Sequence, residues 1–304
     1  MALEQLDNSN ISTHLGQSSS YSGQYDKSLL VREPRQSNRG HLGISEDEEP
    51  PFHGCDVWNG YEVSCLTNAG KPVAAIAKVI YPCNSKYIVE SKSMKLYWNS
   101  FNMTKMGDTF AQVAKNIEET AAKDLSKLLQ TEVRITLFPC SQKLSTDNPY
   151  NDSNYRRLEE SPDIDAESLY VDIYSEDPNL LKTTHTGGHK YKVMSSLLKS
   201  NCRVTSQPDW GDVFISLEGT RHPSDKELLK YIISFRDECH FHEEICETIF
   251  TRLNNTFEPR SLMVACLYVR RGGWDINPIR TTHEYLIDEF FWDHKVPWIK
   301  TLRQ

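Results

Sequence analysis

The chain has 304 residues, with 38% hydrophobic and 25% charged side chains, the balance of a globular protein with enough apolar material to bury a core. Lys and Arg number 34 against 42 Asp and Glu, a formal charge of −8, which argues against a large nucleic-acid footprint because phosphate tracking needs clustered cations. No apolar run approaches the roughly 18 residues of a membrane helix; the longest, 72–81, is interrupted by Lys78. The first residues have neither a basic n-region nor an apolar h-region, so no secretory signal is expected. With eight cysteines and no such signal, free thiols in a reducing cytoplasm are expected in place of a disulfide framework.

Residues 1–50 are rich in Ser, Asn, Gln and Gly and read as a flexible or loosely docked tail. Two strands are predicted over 61–67 and 73–81, joined by a turn at Asn68-Ala69-Gly70-Lys71. Apolar residues at three- and four-residue steps from Phe110 to Leu128 predict an amphipathic helix over 108–130, and 132–138 alternates as a strand. The stretch 142–166 is polar and reads as a linker between a first module, 51–141, and a second, 167–304. In the second, strands are expected at 168–174, 212–217 and 262–270. Helices are expected from the capping-box sequence at Ser224 to about 236, and over 243–254. Strands, helix, strand in both halves suggest a duplicated α+β unit.

Four segments could carry chemistry. Cys202 is followed seven residues on by Asp209, beyond a Gln-Pro pair that forces extended or turning backbone. A thiolate is a strong nucleophile, and a carboxyl folded back beside it could deliver a proton; an inert buried thiol is the alternative. Cys239-His240-Phe241-His242-Glu243-Glu244-Ile245-Cys246 invites a zinc reading, yet no second cluster with ligand spacing completes a site, and a helix start with polar side chains in a cleft is the preferred reading of the residues alone. Val89-Glu90-Ser91-Lys92 is either a solvated helix start or a carboxylate aimed at a ligand's paired N–H donors, with a lysine for phosphate. Arg270-Arg271-Gly272-Gly273 permits a bidentate phosphate grip or a plain glycine turn. No Gly-x-Gly-x-x-Gly fingerprint opens a strand–helix unit, so a Rossmann cofactor site is not expected.

FHGCDVW (52–58), ESKSMKLYWNSFN (90–102), LLKSNCRVTSQPDWG (197–211), SFRDECHFHE (234–243) and RRGGWDINP (270–278), in this order, resemble the QueF nitrile reductases. These are the NADPH-dependent 7-cyano-7-deazaguanine reductases of the queuosine pathway, here in their long two-module form. The resemblance implies an α+β fold of tandem tunnelling-fold units, with antiparallel sheets and helices packed on one face. It implies a homodimer with the active site at the seam between units.

Cys202 would add to the nitrile carbon, Asp209 would protonate the nitrogen, and His242 would sit beside the reacting group as hydrogen-bond partner or proton source. Val89, Glu90, Ser91, His242 and Glu243 would hold the deazapurine; Ser91, Lys92, Arg271 and Gly272 would contact NADPH. No metal, nucleic acid or membrane partner is implied, and Cys239 and His240 receive no task. Two alternatives remain: a metal-dependent GTP cyclohydrolase-like enzyme using zinc at Cys239, His242 or Cys202, and a non-catalytic purine-binding module.

Overall fold

The computed structural model describes residues 23–46, 48–142, 155–164, 169–182, 185–287, 293, 301 and 303–304; of 185–189 it describes the backbone alone. In chain order the elements are β1 (Arg32–Pro34), α1 (Gln36–Arg39), β2 (His53–Leu66), β3 (Pro72–Pro82), β4 (Tyr87–Val89), α2 (Ser91–Asn99), α3 (Phe110–Leu129), β5 (Arg134–Pro139) and β6 (Arg156–Arg157). There follow β7 (His185–Cys202), β8 (Pro208–His222), α4 (Asp225–Ser234), β9 (Cys239–His240), α5 (His242–Phe257), β10 (Ser261–Tyr268) and β11 (Trp274–Thr281).

Nine strands form one sheet in the order β5-β3-β2-β11-β10-β8-β7-β6, with β9 also beside β7. Its long pairings are antiparallel; β6 and β9 run parallel to β7. The helices cover one face. On β10 the even positions Leu262, Val264 and Cys266 join α4 and α5 in one core, while Met263, Ala265 and Leu267 line the opposite face, as a period of two requires. On β2, Trp58 faces α2 and α3, and a register shift between Gly60 and Val63 lets Val63 and Cys65 do the same.

The helix over 110–129 forms as its pattern demands. Thr109 and Gln112 cap it reciprocally, and Val113, Ile117, Ala121, Leu125 and Leu129 make one buried stripe. Each large aliphatic side chain so buried contributes roughly 1.5–3 kcal/mol.

The two halves meet where β2 pairs with β11, in an eight-residue register from Trp274↔Gly60 to Thr281↔His53. Gly60 is required there, because a Cβ would lie 2.4 Å from the Trp274 ring. Both strands have central positions in the sheet, which buries every residue of β11. One of them is Arg280, fully buried, with Nη1 2.9 Å from Asp56 and Nη2 2.7 Å from Glu247. Arg39 grips both Glu247 oxygens at 2.7 and 2.8 Å, and Arg35 pairs with Asp56. Burial pushes the Glu247 carboxyl up, but Arg280, Arg39 and Arg35 outweigh it and hold it down at about 2.

Several expectations are corrected. Residues 23–46 are docked in place of forming part of a loose tail: β1 pairs with β4, and Arg35, Asn38 and Arg39 are buried. The expected tail's residues 1–22 lie outside the described residues. The expected strand at 168–174 is irregular over its described part, 169–174, and leaves Tyr170 71% exposed, so its alternation has no sheet to face. Of the expected linker, residues 155–164 add β6 to the sheet edge and bury Leu158 in the core; 143–154 and 165–166 lie outside the described residues.

Replacing Arg280 with Met leaves Asp56 and Glu247 short of a partner in a dry interior. We expect a loss of about 3–5 kcal/mol, read from urea denaturation at neutral pH. Because the folded pKa of Glu247 is lowered, its share of the stability is present above its unfolded value and is lost as pH falls towards about 2.

Candidate active site

A cavity of about 240 Å³ opens at the end of the β7–β8 hairpin, where it meets the starts of α2 and α5 and the β10–β11 turn. Cys202 is the last residue of β7. Its N–H donates to Gln207 O at 2.8 Å and its carbonyl accepts from Ser206 N–H at 2.8 Å. Ser206 takes a left-handed conformation, φ 54°, to close this tight turn. The thiol is partly exposed and lines the cavity; among the described residues no other cysteine does. All eight cysteines are free. Five are buried, and burial pushes those of Cys65 and Cys83 up to about 11, as expected of inert core thiols.

Asp209, on the returning strand, is 8% exposed. Its Oδ1 accepts from Arg271, and its Oδ2 lies 3.4 Å from His242 Nε2. His242 stacks on the buried Tyr268 ring at 3.8 Å between centroids, which fixes the imidazole plane, and its Nε2 makes no hydrogen bond among the described residues.

Glu243 follows in the first turn of α5, where a carboxylate complements the helix dipole. It is 4% exposed and its Oε1 accepts no hydrogen bond among the described residues. Burial, then the charge of Asp56, push its carboxyl up to about 7, with Arg35 and His242 pulling the other way. This is a buried carboxyl on the wall of a cavity with one oxygen unsatisfied among the described residues.

From the other half come Val89, Glu90, Ser91 and Lys92. Glu90 serves first as the N-cap of α2: its oxygens accept from Lys92 N–H at 2.9 Å and Ser93 N–H at 2.7 Å. Each oxygen keeps a further lone pair, so the cap orients the carboxylate without exhausting it.

On the β10–β11 turn Gly272 and Gly273 both have positive φ, 60° and 82°. A Cβ on Gly272 would lie 2.9 Å from the Lys95 chain, so glycine lets that side chain pass close to the turn. Lys92, Lys95 and Arg271 all line the cavity, a donor set suited to phosphate.

All ten residues predicted from the sequence therefore line one cavity: Cys202, Asp209 and His242; Val89, Glu90 and Ser91; and Glu243 with Lys92, Arg271 and Gly272 beside them. The seam expected between units is the β2–β11 junction within one chain. Sequence reasoning passed over the apolar walls Trp58, Phe241 and Trp274, and the cation Lys95. Both tryptophans sat in quoted motifs, but only the sheet order reveals that they share a wall. Cys239 is exposed on β9, off the cavity wall, with its sulfur near Asp237 O. Zinc held by Cys239 together with Cys202 or His242 thus finds no support in this geometry.

A family model described as the N-terminal part of nitrile reductase, 7-cyano-7-deazaguanine reductase, matches residues 21–137, and one described as QueF-like protein matches 208–285. A protein named NADPH-dependent 7-cyano-7-deazaguanine reductase in Colwellia psychrerythraea is 38% identical over 294 residues, 95% of each chain. Its namesake in Cupriavidus metallidurans is 42% identical over 271 residues, 88% of this chain and 92% of its own. That of Legionella pneumophila is 40% identical over 276 residues, 91% of this chain and 92% of its own. The chain belongs to the 7-cyano-7-deazaguanine reductase family. The cavity residues of this family member lie within or between the two matched segments.

Glu90→Ala should lower stability by on the order of 1 kcal/mol through the lost cap, measured as a shift of the urea midpoint, while Glu90→Gln, which keeps an acceptor, should lose less than half of that.

Proposed function

We propose that the chain reduces the nitrile of 7-cyano-7-deazaguanine to an aminomethyl group with two NADPH, through a covalent thioimide on Cys202. The observation that carries this is the convergence, on one cavity, of a partly exposed thiol, the Asp209–His242 pair and a buried carboxyl, Glu243, whose Oε1 accepts no hydrogen bond among the described residues.

The base's paired N–H donors satisfy Glu243, with Glu90 offering its remaining lone pairs and Trp58 and Trp274 flanking as apolar walls. This orients the cyano carbon toward Cys202. The sulfur forms a bond to that carbon, and the thiol proton passes by way of Asp209 to the nitrile nitrogen, leaving a thioimide with atoms balanced. His242, its plane fixed by Tyr268, supplies protons at the nitrogen as reduction proceeds. Over the whole reaction one nitrile takes up two hydrides and two protons, and Cys202 leaves as the imine forms. When bound, NADPH supplies those hydrides; Lys92, Lys95, Arg271 and the open turn at Gly272, with Ser91 near the start of α2, would hold its phosphates. Arg271 also keeps Asp209 in place. The apolar walls limit water, which would hydrolyse the imine.

The acidic balance supports a free base and not tRNA as the substrate, and eight free thiols support a reducing cytoplasm. The family resemblance supports a homodimer, with a sedimentation mass of twice the 35.0 kDa chain.

Mixing protein, 7-cyano-7-deazaguanine and NADPH should consume about two NADPH per base. Cys202→Ala should abolish turnover, and Asp209→Asn should slow it by at least roughly a hundredfold. Base binding without NADPH oxidation would favour a non-catalytic purine-binding module; stoichiometric zinc with loss of turnover on chelation would favour a cyclohydrolase-like enzyme.

Base affinity should also depend on pH. Because the Glu243 carboxyl is pushed up to about 7 and offers two acceptor oxygens without a competing O–H only when ionised, binding should weaken as pH falls below about 7. In the limit the loss approaches tenfold per pH unit, and it should flatten in Glu243→Gln; titration at pH 6 and pH 8 checks this.

A further inference from the structure

Glu244 follows the His242–Glu243 pair in sequence but is turned away from the cavity, and its side chain is 3% exposed. Its carboxylate touches three segments that converge on the proposed nucleophile. Oε1 lies 2.9 Å from His240 Nδ1, and His240 is the residue of β9 paired in register with Cys202 of β7. Oε2 accepts from the N–H of Phe241, the residue before His242, at 3.4 Å. The same oxygen lies 3.7 Å from Nη1 of Arg203, the residue after Cys202. Arg203 in turn donates to the buried Asn38 of α1, which ties the docked N-terminal segment to the same point.

The geometry points to Glu244 as a positioning residue that, through His240 and Arg203, fixes the Cys202 turn against the first turn of α5. This rests on the reading of Cys202 as the reacting thiol. Two backbone hydrogen bonds close the turn, and the partly exposed Arg203 is drawn inward by this carboxylate and by Asn38, with its guanidinium over the ring of Phe241, itself held by Glu244.

The charges around the strap agree. His240 loses to burial but gains more from Glu244 and Glu238, 2.7 Å from its Nε2, so its imidazolium is held above the ordinary histidine range. His41, stacked on it at 6.0 Å, is pulled down by burial and by His240, although Glu244 pushes it up. One ring of the stack therefore carries the charge that Glu244 needs while the other stays neutral more readily. This gives His240 the task that its neighbourhood to a second cysteine, Cys239, does not explain.

The test separates holding the thiol from holding the base. In Glu244→Gln, kcat should fall at least about tenfold, because a misplaced nucleophile slows the reaction at saturation. Measured in the Cys202→Ala background without NADPH, the Kd for 7-cyano-7-deazaguanine should change less than about twofold on adding Glu244→Gln. Arg203→Gln should reproduce the kcat loss, and the double variant should be no slower than the slower single, because both changes cut one strap. Should Glu244→Gln fail to fold, Arg203→Gln, whose side chain is 43% exposed, carries the test with the same two readouts. The inference is overturned if kcat stays within twofold, or if Kd weakens as much as kcat falls. A wild-type protein whose turnover does not depend on Cys202 would overturn instead the reading on which it rests.

Discussion

Arg280 is the interaction on which the rest depends. It lies in β11, on the seam between halves, and bonds at once to Asp56 of β2 and Glu247 of α5. A guanidinium in the interior is tolerable only when its fixed fork of donors is met by acceptors on all sides. Here two carboxylates and the carbonyls of Cys55 and Ile279 meet it. That requirement sets the register of β11 on β2, and with it the approach of α2 from the first half toward α5 from the second.

The same cluster reaches into the site. With Arg35 and Arg39 it holds three guanidinium groups against two carboxylates, and both added arginines come from the docked segment before β2. Glu243 sits one helical turn before Glu247 and feels Asp56 and Arg35 in opposite senses. Burial first, and then Asp56, hold its carboxyl up at about 7, so that it ionises near neutral pH and the donors of a ligand favour that charged form. A structural ion network and a receptive binding group are, in this fold, two ends of one arrangement.

Much of this was legible in the sequence, and the rest was hidden for identifiable reasons. The 110–129 helix and the cap at Ser224 announce themselves through spacing and cap chemistry. The 18-residue β7 does not: its register shift between Ser195 and Leu198 moves the inward phase from Tyr191, Val193 and Ser195 to Leu198 and Ser200. A fixed period of two therefore misses it. The central strand β11 is hidden by its polar residues, since Asp275, Asn277 and Arg280 read as surface until their partners are known. Conversely 168–174 alternates well and forms no strand over its described part, because no sheet edge is there to receive it. The site residues were legible as separate motifs through family resemblance; their meeting was not, because it depends on the β2–β11 pairing, more than 200 residues apart in the chain.

The most direct measurement is mass spectrometry of the protein incubated with 7-cyano-7-deazaguanine and no NADPH, followed by peptide mapping. One base should be added per chain, on the peptide that contains Cys202 and on no other thiol. An unmodified chain, or an adduct at Cys140 or Cys239 with Cys202 untouched, would contradict a reaction centred on this sulfur.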